Sequence, residues 1–206
     1  MRPLAPVTLT GPTVRLEPLA SAHADALWAV ARDHALWRWT LSDIHSRADL
    51  DAYLQTALDA QAAGTALPFV IVASGSCGEA VAGCTRLGNA SAEHERIEIG
   101  WTWIGKPWQR TAVNTEAKLL LLRHAVETLG ARRVELKTDT RNAASRTAIA
   151  RLGAVEEGTL RQHMVRQTGD IRDTVYFSIL ADEWPAVEAR LTARLADRRI
   201  PAGSPA

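Results

Sequence analysis

Apolar and polar positions alternate from Thr13 to Leu19, with Val14 and Leu16 on one face, and this predicts a first strand. Ser21 stands where a helix N-cap belongs. The helix it opens runs to about Arg32 and puts Ala24, Leu27, Trp28 and Ala31 on one face. An irregular stretch follows, from Asp33 to Ser46. Ser46 with Asp49 three positions on is a capping-box pattern for a second helix, which runs to about Ala63 and stops at Gly64. The period then changes to two. Leu67–Ala73 and Ala80–Leu87 read as strands about a turn at Ser74–Gly78, and Arg96–Ile104 as a third, ended by Gly105 and Pro107. Asn114–Leu129 is a strongly apolar helix before Gly130. Arg133–Thr138 is a strand, and Asn142–Leu152 a short helix closed by Gly153. Ala154–Arg166 and Ile171–Leu180 suit a hairpin around Gln167–Asp170, and a last helix spans Asp182 to about Asp197. This order predicts one α+β domain over residues 1–197. The Pro-, Gly- and Ser-rich tail 198–206 is expected to fray.

Composition narrows the function. With 206 residues and 47% hydrophobic positions the chain can bury a sizeable core. Its 24 basic and 23 acidic residues leave a net charge of +1, which argues against a polyanion such as nucleic acid as its partner. No run of eighteen apolar residues predicts a membrane span, and Met1–Pro12 has no secretory pattern. Cys77 and Cys84 are the only cysteines, so a reduced cytoplasmic chain without a metal site is expected. The basic residues are Arg except for Lys106, Lys118 and Lys137, a bias that carries no function at this level. Seven Trp against two Phe and two Tyr is unusual, and Trp37, Trp39, Trp101, Trp103 and Trp108 are clustered.

The most informative stretch runs from Arg96 to Glu116, a strand leading through a tight turn into a helix. Such a turn gathers free backbone N–H groups and the positive helix end, which suits a phosphate, and Arg110 adds a guanidinium. A second piece, Asn142-x-x-Ser145, opens the next helix. By itself it is also an ordinary N-cap. There is no Gly-Lys-Ser/Thr pattern of a nucleotide phosphate loop.

Taken together, these segments resemble the GCN5-related N-acetyltransferase superfamily, and within it the branch of the ribosomal-protein N-terminal acetyltransferases. The resemblance extends from Thr8 to about Trp184. It rests on L-x-G-P-x-V-R-L-E-P-L, E-I-G-W-T-W, the loop-to-helix run ending T-E-A, N-x-x-S followed by R-L-G-A, the hairpin R-x-H-M-V and R-D-T-V-Y-F-S-I-L, and a final D-E-W-P. It implies a mixed, mostly antiparallel sheet of about seven strands flanked by helices, with a splayed strand pair that binds acetyl-CoA. It implies that the pyrophosphate lies on Gln109, Arg110, Thr111, Ala112, Val113 and Asn114, where Ala112 and Asn114 replace the family's glycines. Backbone near Trp103 and Ile104 would pair with pantetheine, and Asn142 and Ser145 would lie near the thioester. A homodimer is common among such proteins.

Amine acetylation needs a deprotonated amine and a proton for the departing thiolate. Glu98 is the candidate base. By alternation it faces with Gly100 and Thr102, opposite Ile97, Ile99, Trp101 and Trp103. An ion pair with Arg96 or Arg133 is its structural alternative. Ile149 stands where many superfamily members carry a Tyr acid, so Ser145 and Tyr176 are the candidate acids. The acceptor region is expected at Trp37 and Trp39 with Arg161, His163 and Asp173. These features point to an acetyl-CoA-dependent N-acetyltransferase acting on a peptide N-terminus or a small amine. A non-catalytic acyl-CoA-binding or sensory module is the alternative.

Overall fold

The computed structural model describes residues 1–75 and 78–197. Cys77 and the tail 198–206 lie outside the described residues. Eight strands form one sheet: β1 Leu9–Thr10, β2 Val14–Pro18, β3 Leu67–Gly75, β4 Gly78–Ser91, β5 Arg96–Ile104, β6 Arg133–Asp139, β7 Val155–Val165 and β8 Ile171–Leu180. The spatial order is β1-β2-β3-β4-β5-β6-β8-β7. Every neighbouring pair is antiparallel except β5 and β6. The expected seven strands become eight through β1, whose two residues are too few to show a period.

Helices cover both faces and split the core in two. α3 (Val113–Arg123) and α5 (Trp184–Asp197) bury Leu121, Leu122 and Leu191 against Ile97, Ile99 and Phe177. α1 (Ala24–Ala31) and α2 (Arg47–Ala62) bury Leu27, Leu50 and Leu54 against Val70, Cys84 and Trp103. Each such side chain contributes about 1.5–3 kcal/mol when removed from water. α4 (Ala143–Leu152) follows β6.

Local signals decide most boundaries. The Ser46 side chain accepts from the Asp49 N–H, and the Asp49 carboxylate accepts from the Ser46 N–H at 2.8 Å, which closes the capping box of α2. α4 is capped by Asn142, whose Oδ1 accepts from the Ser145 N–H at 3.0 Å, and it ends on Gly153 at φ +95°. Asn142→Ala is expected to cost about 1 kcal/mol, read as a lower urea midpoint at unchanged slope. Ser21 is no cap. It lies in a short 3-10 turn, and α1 begins at Ala24 behind His23, whose Nδ1 accepts from the Ala20 N–H at 3.1 Å. α3 is shorter than its apolar run because its last turn widens: His124–Thr128 is π-helical, and the Leu129 N–H reaches the His124 carbonyl.

Two irregularities of β5 shape the middle of the sheet. Thr85 of β4 faces both Trp101 and Thr102, because the register steps from Arg86↔Gly100 to Cys84↔Trp103, and Trp101 sits at φ +50°. This bulge reverses the alternation. Ile97 and Ile99 stay in the α3–α5 core, whereas Trp103 joins the α1–α2 core. The expected grouping of Trp103 with Ile97 and Ile99, opposite Glu98, is therefore corrected. The second irregularity lies on the other edge. β5 pairs with β6 only over Arg96↔Arg133, Ile97↔Val134 and Glu98↔Glu135, after which the two parallel strands part.

Candidate active site

A cavity of about 1020 Å³ opens where β5 and β6 separate. Its walls come from the 35–42 connection, β5, the loop 109–111, the first turns of α3 and α4, and the β7–β8 hairpin at Met164 and Arg172. A volume of this size holds a large organic ligand.

One end of the cavity is the N-terminus of α3. Its approach is held by the Thr111 hydroxyl, which donates to the Trp108 carbonyl at 2.7 Å and accepts from the Val113 N–H at 3.2 Å. Gln109 Nε2 donates to the Ile104 carbonyl at 2.8 Å and ties the loop back to β5. The left-handed residue of the loop is Arg110, at φ +63°. Ala112 is right-handed at φ −69°, and Asn114 lies in the helix. Neither position needs glycine, so the two replacements add no backbone strain of their own. First-turn N–H groups of a helix have no intrahelical acceptor and carry the positive end of its dipole. Glu116, one turn on, is structural: its carboxylate accepts from the Thr13 N–H at 2.9 Å and from the Thr13 hydroxyl, tying the chain before β2 to α3.

At the parting of the strands lies Glu98, only 3% exposed. Its Oε2 accepts from Asn89 Nδ2 at 2.7 Å and pairs with Lys137 Nζ at 2.8 Å. Its Oε1 lies over Gly100, where a Cβ would approach to 2.7 Å. A side chain at position 100 would crowd that oxygen, and Glu98 itself lines the cavity. The alternative ion-pair partners are engaged elsewhere: Arg96 meets Glu135 at 3.4 Å, and Arg133 holds Glu135 and Glu157.

Lys118 of α3 lines the same cavity. It is 6% exposed and donates to Thr102 Oγ1 at 2.6 Å and to Thr85 Oγ1 at 3.3 Å. No carboxylate pairs with it among the described residues, and burial pushes its ammonium down to about 7.

The residues singled out from sequence fall into two groups. Glu98, Trp103, Ile104, Gln109, Arg110, Thr111, Asn114, Asn142, Ser145, Trp37 and Trp39 line the cavity. Ala112, Val113, Tyr176, Arg161, His163 and Asp173 do not. Tyr176 stacks edge-on with His163 at 5.7 Å behind Lys137. The Asp173 carboxylate accepts from the Gln162 N–H at 2.7 Å, and among the described residues it forms no salt bridge with Arg172 or Arg161. Asn142 uses its side chain as a cap, while Ser145 reaches the cavity. Trp37 is packed down, with Nε1 donating to the Ala31 carbonyl at 2.7 Å and its ring 5.3 Å from Trp103. The guanidinium groups of Arg38 and Arg141 lie over the Trp39 ring, at 4.8 and 5.1 Å from its centroid. Trp108 packs at Gly105 instead of lining the cavity.

Sequence reasoning missed Tyr53, Asn89, Lys118, Lys137 and Arg172, all at the cavity. A signal existed for two of them. Lys118 and Lys137 are two of only three Lys in an Arg-rich chain, and that bias marks both. It also missed Arg166, whose guanidinium donates to the carbonyls of Trp37, Arg38 and Thr40 and pins the early connection onto the hairpin.

Comparison with known proteins agrees with this geometry. A GCN5-related N-acetyltransferase structure from Brucella melitensis is 32% identical, with a TM-score of 0.88 over 98% of this chain and 90% of that one. Mycobacterium smegmatis RimJ, in complex with CoA-disulfide, is 27% identical, with a TM-score of 0.79 over 96% of this chain and 98% of that one. A Bacillus subtilis (strain 168) protein named as a ribosomal N-acetyltransferase, YdaF, is 33% identical over 102 residues, 50% of this chain. The chain spans about half the length of that curated relative, 55%. The model of the acetyltransferase (GNAT) domain matches residues 13–155. With this match over most of its length, and the strand parting and helix-end loop in place, the chain belongs to the GNAT acetyltransferase family.

Proposed function

We propose that residues 1–197 form an acetyl-CoA-dependent N-acetyltransferase, cytoplasmic in setting. In this reading acetyl passes to a primary amine, a protein N-terminus or a small molecule, by direct attack in a ternary complex. The observation that carries it is the buried Glu98 carboxylate, which lies in one cavity with the N-terminus of α3.

The residues present fit the cofactor. Arg110 and the first-turn amides of α3 suit a pyrophosphate, and the unpaired edge of β5 from Ile99 onward suits the amides of pantetheine. Bound there, acetyl-CoA would supply the activated acyl group. The protein's own part is positional. Asn89 and Lys137 fix one oxygen of Glu98, which leaves Oε1 to take the proton of an incoming ammonium. Ser145 offers a hydroxyl at the start of α4 for the departing sulfur, since Ile149 holds no phenol. Trp37 and Trp39 wall off water on the acceptor side.

Acetyl-CoA titration tests the reading. At a hundred times Kd it is expected to stabilise the fold by about 2.7 kcal/mol. It should also change Trp fluorescence, because Trp103 lies in the wall. Free thiol should then appear with amines from a mixed panel of peptides and small molecules. A chain showing neither the thermal shift nor the fluorescence change is not an acetyl-CoA enzyme.

A further inference from the structure

The hairpin end of the cavity carries a buried cation without a direct ion-pair contact among the described residues. Arg172 of β8 is 6% exposed, lines the cavity, and has no hydrogen-bond partner for its Nε. Among the described residues it forms no salt bridge, although Lys137, Arg141 and Arg166 each do. Lys137 has Glu98 at 2.8 Å. Arg166 has Asp170 at 3.1 Å. Arg141 takes both oxygens of Asp139, at 2.9 and 2.7 Å, so the buried carboxylate nearest in sequence is committed. Asp139 and Glu98 act on it through space without an ion-pair contact, and a buried guanidinium that lacks a direct partner is costly, a cost an anionic ligand would offset.

We infer that Arg172 is the anchor for a carboxylate on the acceptor, so that the amine acetylated here also bears a carboxylate several bonds away. This deepens the acetyltransferase reading and rests on it. The planar fork of Arg pairs with both oxygens of a carboxylate, which orients the acceptor as well as holding it. Position along the strand sets the spacing. Tyr176 of β8 is opposite Lys137, the partner of Glu98, and Arg172 lies four residues away, about 13 Å along the strand. Reach of both side chains shortens that span to a few bonds of acceptor. The same end is electropositive: burial first, then the charges of Lys137 and Arg172, hold the nearby His163 below its ordinary value.

Matched acceptors test the inference. Peptides beginning with Asp or Glu are compared with their Asn or Gln counterparts, and ω-amino carboxylates with their amides, by thiol release. The wild-type protein is expected to favour carboxylates at least tenfold in kcat/KM, and Arg172→Met to bring that ratio to about one. Arg172→Lys, which keeps the charge without the fork, should be intermediate. Without acceptor, Arg172→Met should raise the urea midpoint, whereas an arginine that served only the fold would lower it. Turnover with equal rates for carboxylate and amide, or an undiminished carboxylate preference in Arg172→Met, overturns the carboxylate anchor alone. Absence of acetyl-CoA binding and of thiol release with every amine overturns the transferase reading, and this inference with it.

Discussion

Glu98→Gln is expected to lower kcat by about 10²–10⁴-fold, the usual worth of a positioned general base, while acetyl-CoA affinity stays within a few-fold. The substitution keeps the shape of the side chain and its place over Gly100, but removes its proton acceptor. It also takes the anion from Lys137, which is mostly buried, so a stability loss of about 1–3 kcal/mol should accompany it. The two effects separate by design. Single-turnover acetyl transfer at saturating acetyl-CoA reads chemistry, and a urea melt reads the lost pair. Lys137→Gln supplies the complementary measurement, because it breaks the same pair and leaves the carboxylate. If Glu98→Gln turned over within threefold of the wild type, Glu98 would be only the partner of Lys137 and Asn89.

Lys118→Met is expected to stabilise the protein by about 2–4 kcal/mol at pH 7. The folded ammonium titrates at about 7, against 10.5 for a solvated lysine, because burial penalises its charge. Between those two values the unfolded chain binds a proton that the folded chain does not, so this group's contribution to stability rises with pH from about 7 to 10.5. Methionine has no such dependence. Its advantage over lysine should therefore be largest near pH 7 and below, and shrink towards zero by pH 10.5. Urea midpoints of both proteins at pH 7, 8.5 and 10 measure this. Thr85 and Thr102 remain bonded to one another at 2.7 Å, so no hydroxyl is stranded. A variant less stable than wild type at pH 7 would mean that the ammonium is well solvated through the cavity.

Much of the fold was legible because it depends on short-range rules. The capping box at Ser46 and Asp49, the Asn142 cap and Gly153 after α4 each rest on a few adjacent residues. Failures came where a longer-range term acted. Nothing local marks Trp101 as a bulge, since its positive φ is imposed by the register between β4 and β5. That one residue moved Trp103 to the opposite face. The site was legible in the same proportion. Glu98 and the 109–114 loop lie on one continuous strand–turn–helix, and most of them line the cavity. Tyr176, Arg161, His163 and Asp173 lie on the hairpin, where alternation and the register shifts between β7 and β8 decide which side chains look inward, and Met164 and Arg172 are the ones that reach the cavity.

The sequence by itself determined most of the elements, their order and the helix-end loop, because caps, glycine stops and hydrophobic period are local and additive. Tertiary structure alone decided three things. It placed Lys137 and Asn89 on Glu98, joining three strands at one carboxylate. It buried Lys118 without an anion. It left Arg172 without a salt bridge among the described residues, while Lys137, Arg141 and Arg166 each found one. Pairing of charges depends on distances between residues far apart in the chain, and on burial that strengthens each interaction. Neither is present in the order of residues until the sheet has closed around the cavity.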